Sequence, residues 1–503
     1  MCRIGRHALL KIDNFSIEHG QHWCIFGPNG AGKTLLANLL AGKRVESGTY
    51  VSYAEGFDFN SDIYTVSFEE QRRLWQRDMR LDISEFSVDL VDQGTVVEDL
   101  IRSSRSTENQ DEKLLQELQR RLALKSVFKQ GIRFLSSGQT RKVLIARALY
   151  GHHPGRPKLV ILDEPLESID KDSRQQIAEC IEHYLDDDCC SLHLCRRQQD
   201  MLPHITHMAL MNDFTITKQG IYAELSQSKA FVGMVSTRPM APLSIPGRLK
   251  VDEPSAKTHG DATQSPEVPI RLENVSASYG DHRVLANITW TMELHHQVLI
   301  EGPNGCGKST LLSLIDGENH KGYGQDVFLF GQRKGSGESV WDVKAKFGVV
   351  SNELHNKYIK GWRVLEVVVS GFFDSVGLYD ESGSAERDLA KQWLTTLGIV
   401  ALQQHYYHEL SFGQQRLVLL ARAMVKHPRV LILDEPCVGL DNYHRRLILQ
   451  TLDIIVSQTN TQIIYVSHVL GEQPDCINQR LSFVEIEGGS FTLELQGMDQ
   501  PRI

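Results

Sequence analysis

The sequence predicts an α/β protein in which one domain is written twice, and three observations carry that prediction. The run Gly-Pro-Asn-Gly-Ala-Gly-Lys-Thr at 27–34 recurs as Gly-Pro-Asn-Gly-Cys-Gly-Lys-Ser at 302–309. Leu-Ser-Ser-Gly-Gln at 135–139 recurs as Leu-Ser-Phe-Gly-Gln at 410–414, with the same offset of 275. An apolar run closing on Asp-Glu-Pro ends at Pro165 and again at Pro436, offset by 271, and Asp170 and Asp441 keep that offset. Matching order at near-constant spacing marks a duplicated domain.

The elements follow from local pattern. His22 to Phe26 and Gln297 to Ile300 are short apolar runs entering a glycine loop, hence strands. Leu35 to Leu40 and Thr310 to Leu314 follow directly and read as helices. Gln139 to Tyr150 and Gln414 to Lys426 read as amphipathic helices that begin at the Leu-Ser-x-Gly-Gln turns. Lys158 to Leu162 and Arg429 to Leu433 read as buried strands. Strand, glycine loop, helix and a later buried strand make a P-loop α/β fold.

Between the repeats, residues 236–269 hold six of the chain's sixteen prolines, few large apolar residues and four charges of each sign. That composition reads as an extended polar linker. The expected domains are 1–235 and 270–503, joined by 236–269.

Composition narrows the class. The chain has 503 residues, with 54 basic against 63 acidic, a net charge of −9. No global basic field exists to bind nucleic acid, so no nucleic-acid partner is expected. Nine cysteines with no Cys-x-x-Cys pair fit reduced thiols rather than a zinc, iron–sulfur or disulfide scaffold. There is no basic-then-apolar start and no apolar window long enough to span a bilayer. The expected location is the cytoplasm, with peripheral attachment to the inner face of the cytoplasmic membrane as the other option.

The glycine loops bring phosphate chemistry. Backbone N–H groups of such a loop wrap phosphates, aided by a helix N-terminus. The candidates are Gly27, Pro28, Asn29, Gly30, Ala31, Gly32, Lys33 and Thr34 in the first half. Their counterparts are Gly302, Pro303, Asn304, Gly305, Cys306, Gly307, Lys308 and Ser309, followed by Thr310. Lys33 and Lys308 would reach the β- and γ-phosphates, and Thr34 and Ser309 would hold Mg²⁺. Asp163 and Asp434 end buried strands, where a carboxylate is costly without a cation; they complete the Mg²⁺ sites. Glu164 and Glu435 come next and are placed to polarise an attacking water.

The Leu-Ser-x-Gly-Gln turn between the glycine loop and Asp-Glu-Pro is where both halves resemble the ABC ATPase family. The resemblance implies, for each half, a RecA-like α/β core, an antiparallel β subdomain and a helical signature subdomain. It implies ATP and Mg²⁺ as ligands, with each turn completing the site of the opposite half. Ser136, Gly138 and Gln139 would then serve the site of Lys308, and Ser411, Gly413 and Gln414 that of Lys33. The two halves of a monomeric chain would form a head-to-tail pseudo-dimer.

The resemblance also implies asymmetry. A family histidine that contacts the γ-phosphate is His468 in the second half, whereas the first half has Arg197 there. His193, inside a strand-like run, reads better as a core histidine. The aromatic ring stacked on adenine is Tyr279 in the second half; the first half has Ile4 there and reads as beginning with a shortened strand, which the resemblance takes as a weaker site. The family's glutamine loop holds Asn352 in the second half and Phe68 in the first, with Gln71 as an alternative. Hydrolysis is therefore expected mainly at Lys308, Ser309, Asp434, Glu435 and His468.

Runs such as Tyr-Gly-Gln-Asp-Val-Phe-Leu-Phe-Gly-Gln from Tyr323 and Ser-Asn-Glu-Leu-His from Ser351 narrow the resemblance to ModF-type tandem ATP-binding proteins. That implies a link to molybdate transport and an integral membrane permease or other transport component as partner. A fused importer ATPase for another cargo and a soluble, non-transport regulatory switch are the competing readings.

Overall fold

The structure, a computed structural model, describes residues 2–4, 8–43, 51–80, 94–151, 158–167, 169, 171–185, 189–235, 243–249, 268–279, 282–303, 305–316, 320–337, 339–358, 361–377, 382–467, 472–486 and 489–497. Asn304, Asp170 and His468 lie outside the described residues, as does the side chain of Tyr279. The chain divides into two compact units, Met1–Arg238 and Pro239–Ile503.

The first unit holds β1 (Cys2–Ile4), β2 (Ala8–Leu10), β3 (His22–Phe26), β4 (Ile63–Val66), β5 (Lys158–Asp163), β6 (Cys189–Cys195), β7 (His207–Asn212) and β8 (Thr215–Ile221). Its main sheet runs β4-β5-β6-β3-β7-β8, parallel except for the last strand. Every residue of β3 is buried, as a strand covered on both faces requires. The helix Lys33–Leu40 lays Leu36 and Leu39 on Ile25, Ile161 and Leu192. On the opposite face the helix Ser137–Tyr150 packs Val143, Ile145 and Leu149 against Val160 and Leu162. β1 and β2 pair antiparallel, with Cys2 opposite Leu10 and Ile4 opposite Ala8.

The second unit holds β9 (Ile270–Tyr279), β10 (His282–Met292), β11 (Val298–Glu301), β12 (Asp326–Leu329), β13 (Gln332–Arg333), β14 (Phe347–Val350), β15 (Val430–Asp434), β16 (Gln462–Val466), β17 (Gln479–Ile486) and β18 (Ser490–Gly497). They form one sheet, β13-β12-β9-β10-β18-β17-β11-β16-β15-β14. The antiparallel part, β9, β10 and β12, buries Leu272, Ile288 and Val327 against Leu311 and Ile315 of the helix Lys308–Ile315. A helical layer around Trp393, Val368 and Leu419 fills the other face.

Residues 243–249 belong to this unit. Leu243, Ile245 and Leu249 pack on its helical core. The Ile245 N–H donates to Gln458 Oε1 at 3.3 Å, and Thr396 Oγ1 donates to the Ser244 carbonyl at 2.8 Å. Among the described residues no helix is long and apolar enough to cross a membrane.

Candidate nucleotide sites

Each unit ends its central strand in a glycine loop and starts a helix at the loop lysine. Gly32 and Gly307, the caps of those helices, have φ of 98° and 102°. An L-residue is strained there, and a β-carbon on Gly307 would also lie 2.6 Å from Leu285. Lys33 Nζ donates to the carbonyls of Gly27 (2.7 Å) and Pro28 (2.9 Å). Lys308 Nζ does the same to Gly302 (2.8 Å) and Pro303 (3.0 Å). Both ammonium groups are thus held over their own loops, where phosphate oxygens would gather. Burial pulls the Lys33 pKa down, against the pull of Glu164.

The metal candidates come together in both units. Thr34 Oγ1 donates to Asp163 Oδ2 at 2.9 Å. Burial raises the Asp163 pKa, with Thr34 and Lys33 opposing. Ser309 and Asp434 line one cleft. A hydroxyl and a carboxylate are hard oxygen donors and fit magnesium. Magnesium bound there would neutralise phosphate charge.

The two candidate catalytic acids share a backbone and differ in surroundings. Glu164 and Glu435 both have φ of 50°. Their N–H groups donate to Leu194 (3.3 Å) and Val466 (3.1 Å) on the neighbouring strands. Glu435 faces a cleft of about 760 Å³ shared with Lys308, Ser309, Asp434 and Asn352. Glu164 is buried, and neither carboxylate oxygen has a hydrogen bond. Arg196 Nε lies 3.8 Å from Glu164 Oε1, and Arg196 is also bonded to Glu167. Burial pushes the Glu164 pKa up to about 7 against the Arg196 charge. The space beside Thr34 and Asp163 is about 10 Å³, lined in part by Glu69, Glu70 and Arg73.

The signature turns cap helices. Ser136 Oγ accepts from the Gln139 N–H at 3.2 Å, while Gln139 Oε1 accepts from the Ser136 N–H at 2.9 Å. Ser411 and Gln414 repeat this box at 3.3 and 2.9 Å. Gly413 faces His444, where a β-carbon would lie 2.5 Å from the imidazole. Gly138 is buried in the first turn of its helix.

Register makes Phe68 and Asn352 equivalent. Ile63 pairs with Leu159 as Phe347 pairs with Val430. Phe68 and Asn352 therefore open equivalent helices, Phe68–Arg80 and Asn352–Lys357. Phe68 is 60% exposed. Asn352 Oδ1 accepts a hydrogen bond from Arg416, whose side chain is fully buried and whose Nε and Nη1 have no partner.

Arg197 follows β6 and is ion-paired with Asp200, Nε to Oδ2 2.5 Å, which also takes Arg174 at 2.5 Å. His193 is fully buried in β6, with Nε2 3.1 Å from Ser191 Oγ and 3.0 Å from His204 Nε2. Burial, then the neighbouring imidazoles, hold its pKa well below the usual value. Sequence reading missed Arg196 and Arg416. Arg196 had a signal, the Arg-Arg pair after β6; Arg416 had the matching Arg141 one repeat earlier, which donates to the Glu164 carbonyl.

Comparisons with known proteins agree with this architecture. The ABC transporter family model matches residues 10–167 and 285–438. The chain is 36% identical over 495 residues to the ABC transporter ATP-binding protein ModF of Escherichia coli, covering 97% of this chain and 96% of that one. It is 26% identical to an uncharacterised ABC transporter ATP-binding protein of Schizosaccharomyces pombe, covering 97% of each. The archaeal ribosome recycling factor aABCE1, solved with the stalk protein aP1, shares the fold with a TM-score of 0.56 and 18% identity, over 96% of this chain and 87% of that one. The chain belongs to the ABC transporter family, as a member that carries two of its ATP-binding domains in one polypeptide.

Proposed function

We propose that this chain binds ATP in both halves and hydrolyses it mainly with the second. One observation carries the asymmetry: Glu435 opens onto a cleft of about 760 Å³ beside Lys308 and Ser309, whereas Glu164 is buried beside Arg196. Lys308 and the loop amides hold the phosphates. Ser309 and Asp434 offer the oxygen donors for magnesium. Glu435 orients water and accepts its proton, and His468 contacts the γ-phosphate. On the family resemblance, Ser136, Gly138, Gln139, Ser411, Gly413 and Gln414 are further γ-phosphate contacts. The resemblance to ModF-type proteins supports a link to molybdate transport and a permease as partner. Glu435→Gln is expected to cut turnover by on the order of 10² while ATP still binds. Equal damage from Glu164→Gln, with Glu435→Gln mild, overturns the assignment.

A second reading is favoured by Asn352. Its amide oxygen is held by Arg416, and Phe68 at the same position has no metal-facing oxygen. On that reading the chain is a soluble switch with little force transmission to a permease. Strong stimulation of ATPase activity by source-cell membranes, abolished in Asn352→Ala, removes this reading.

A further inference from the structure

We infer that Phe214 is the base-contacting residue of the first nucleotide site, in place of the strand aromatic that half lacks. The inference rests on the reading that the Gly27–Thr34 loop binds ATP.

The two units flank their glycine loops differently. In the second unit a β-carbon on Gly307 would lie 2.9 Å from Val284 Cγ1. Val284 lines the same cleft as Gly307, Lys308, Ser309 and Thr310. It places an apolar side chain in that cleft beside the loop. In the first unit a β-carbon on Gly32 would lie 2.9 Å from the Phe214 ring. A β-carbon on Gly32 would also meet Met211 Cε at 3.0 Å and Leu10 at 3.5 Å, and one on Gly307 would meet Leu285 at 2.6 Å. Phe214 and Val284 thus each place an apolar side chain 2.9 Å from the β-carbon position of the loop glycine that precedes the lysine.

The backbone is built for this placement. β7 and β8 run six and seven residues, against eight each for β17 and β18, and are joined by Asp213 and Phe214 alone. Both turn residues are left-handed, with φ of 44° and 60°. That conformation is a strained outlier for a bulky residue such as Phe214. Two hydrogen bonds hold it: the Phe214 N–H donates to the Ala31 carbonyl at 3.0 Å, and the Lys11 N–H donates to the Phe214 carbonyl at 2.9 Å. The turn is tied directly to the glycine loop. The ring is only partly buried, so it keeps surface for a planar base, whose stacking is tolerant of base identity.

The test uses the full chain with Lys308→Ala, which silences the second loop, titrated with ATP, GTP and inorganic tripolyphosphate. Tripolyphosphate carries the phosphates without the base and also reports that the loop is intact. Phe214→Ala is expected to weaken ATP and GTP about fivefold, the size of one aromatic contact, and to leave tripolyphosphate unchanged. Phe214→Trp is expected to restore ATP binding and to show fluorescence quenching on ATP addition. Parallel loss of ATP and tripolyphosphate, or loss of neither, overturns the role of Phe214 alone. Failure of the Phe214-intact chain to bind ATP or tripolyphosphate overturns the nucleotide reading of the first half, and this inference with it.

Discussion

Glu164 and Glu435 occupy one position of the repeat, and their chemistry is set by what surrounds them. Glu164 has a folded pKa of about 7 against an ordinary 4.5, because burial outweighs Arg196. An acid with a raised folded pKa binds its proton more tightly in the fold. Its contribution to stability is fully present below about pH 4.5 and is lost as pH rises through 7. Glu164→Gln mimics the protonated form. We expect it to raise the melting temperature by about 3 °C at pH 8 and to change it little at pH 5; calorimetry at both values checks this, and an equal gain at both excludes the mechanism. Asn352 gives a second prediction. With Arg416 fully buried, Asn352→Ala removes an acceptor from a cation that water does not reach. A loss on the order of 2–3 kcal/mol is expected, read by urea unfolding, with Asn352→Gln losing less. Neither pairing was legible in the sequence. Arg416 lies 64 residues from Asn352, and only the packed helices show that they meet.

At the scale of elements, the signature helices carry two demands on the same side chains. The family resemblance implies a phosphate role for the Leu-Ser-x-Gly-Gln turns, and in the structure their Ser136–Gln139 and Ser411–Gln414 pairs are reciprocal helix caps. The two uses are compatible, because the serine oxygen accepts the cap bond and its proton stays available to a phosphate. They can be separated. Ser411→Ala should cost about 1 kcal/mol of stability through the lost cap. Ser411→Asp should keep the cap and the melting temperature, since Asp caps as well as Ser, yet weaken ATP binding by placing a carboxylate beside the γ-phosphate. Thermal melting paired with ATP titration decides, and retained ATP affinity in Ser411→Asp counts against the anion role. The core strands and loop helices were legible because their burial patterns are short and continuous. The turn Asp213–Phe214 was not, because nothing in the residues Asn212 to Thr215 announces which loop it will rest on.

For the whole molecule, the repeat was the most legible feature, since two ordered motif sets leave few alternative architectures. The composition break at 236–269 was equally plain, yet within it 243–249 pack on the second unit. Three apolar side chains among prolines give too weak a period to be read as an element. Their packing makes a prediction in the full chain. Leu243→Ala with Leu249→Ala should destabilise the second unit by about 2 kcal/mol, seen as a lower second transition in calorimetry with the first unchanged. Unchanged transitions would mean that the segment only rests on the surface.

The left-handed backbone at Glu164 and Glu435 has a genetic consequence. A glutamate codon is one base change from glycine, the residue that suits a φ of 50° best. The replacement most comfortable for the chain is therefore also the one that deletes the carboxylate. In a pooled mutant library selected for folding, Glu435→Gly should be enriched; in the same library selected for ATP turnover it should be lost, so that one codon records the conflict between stability and activity.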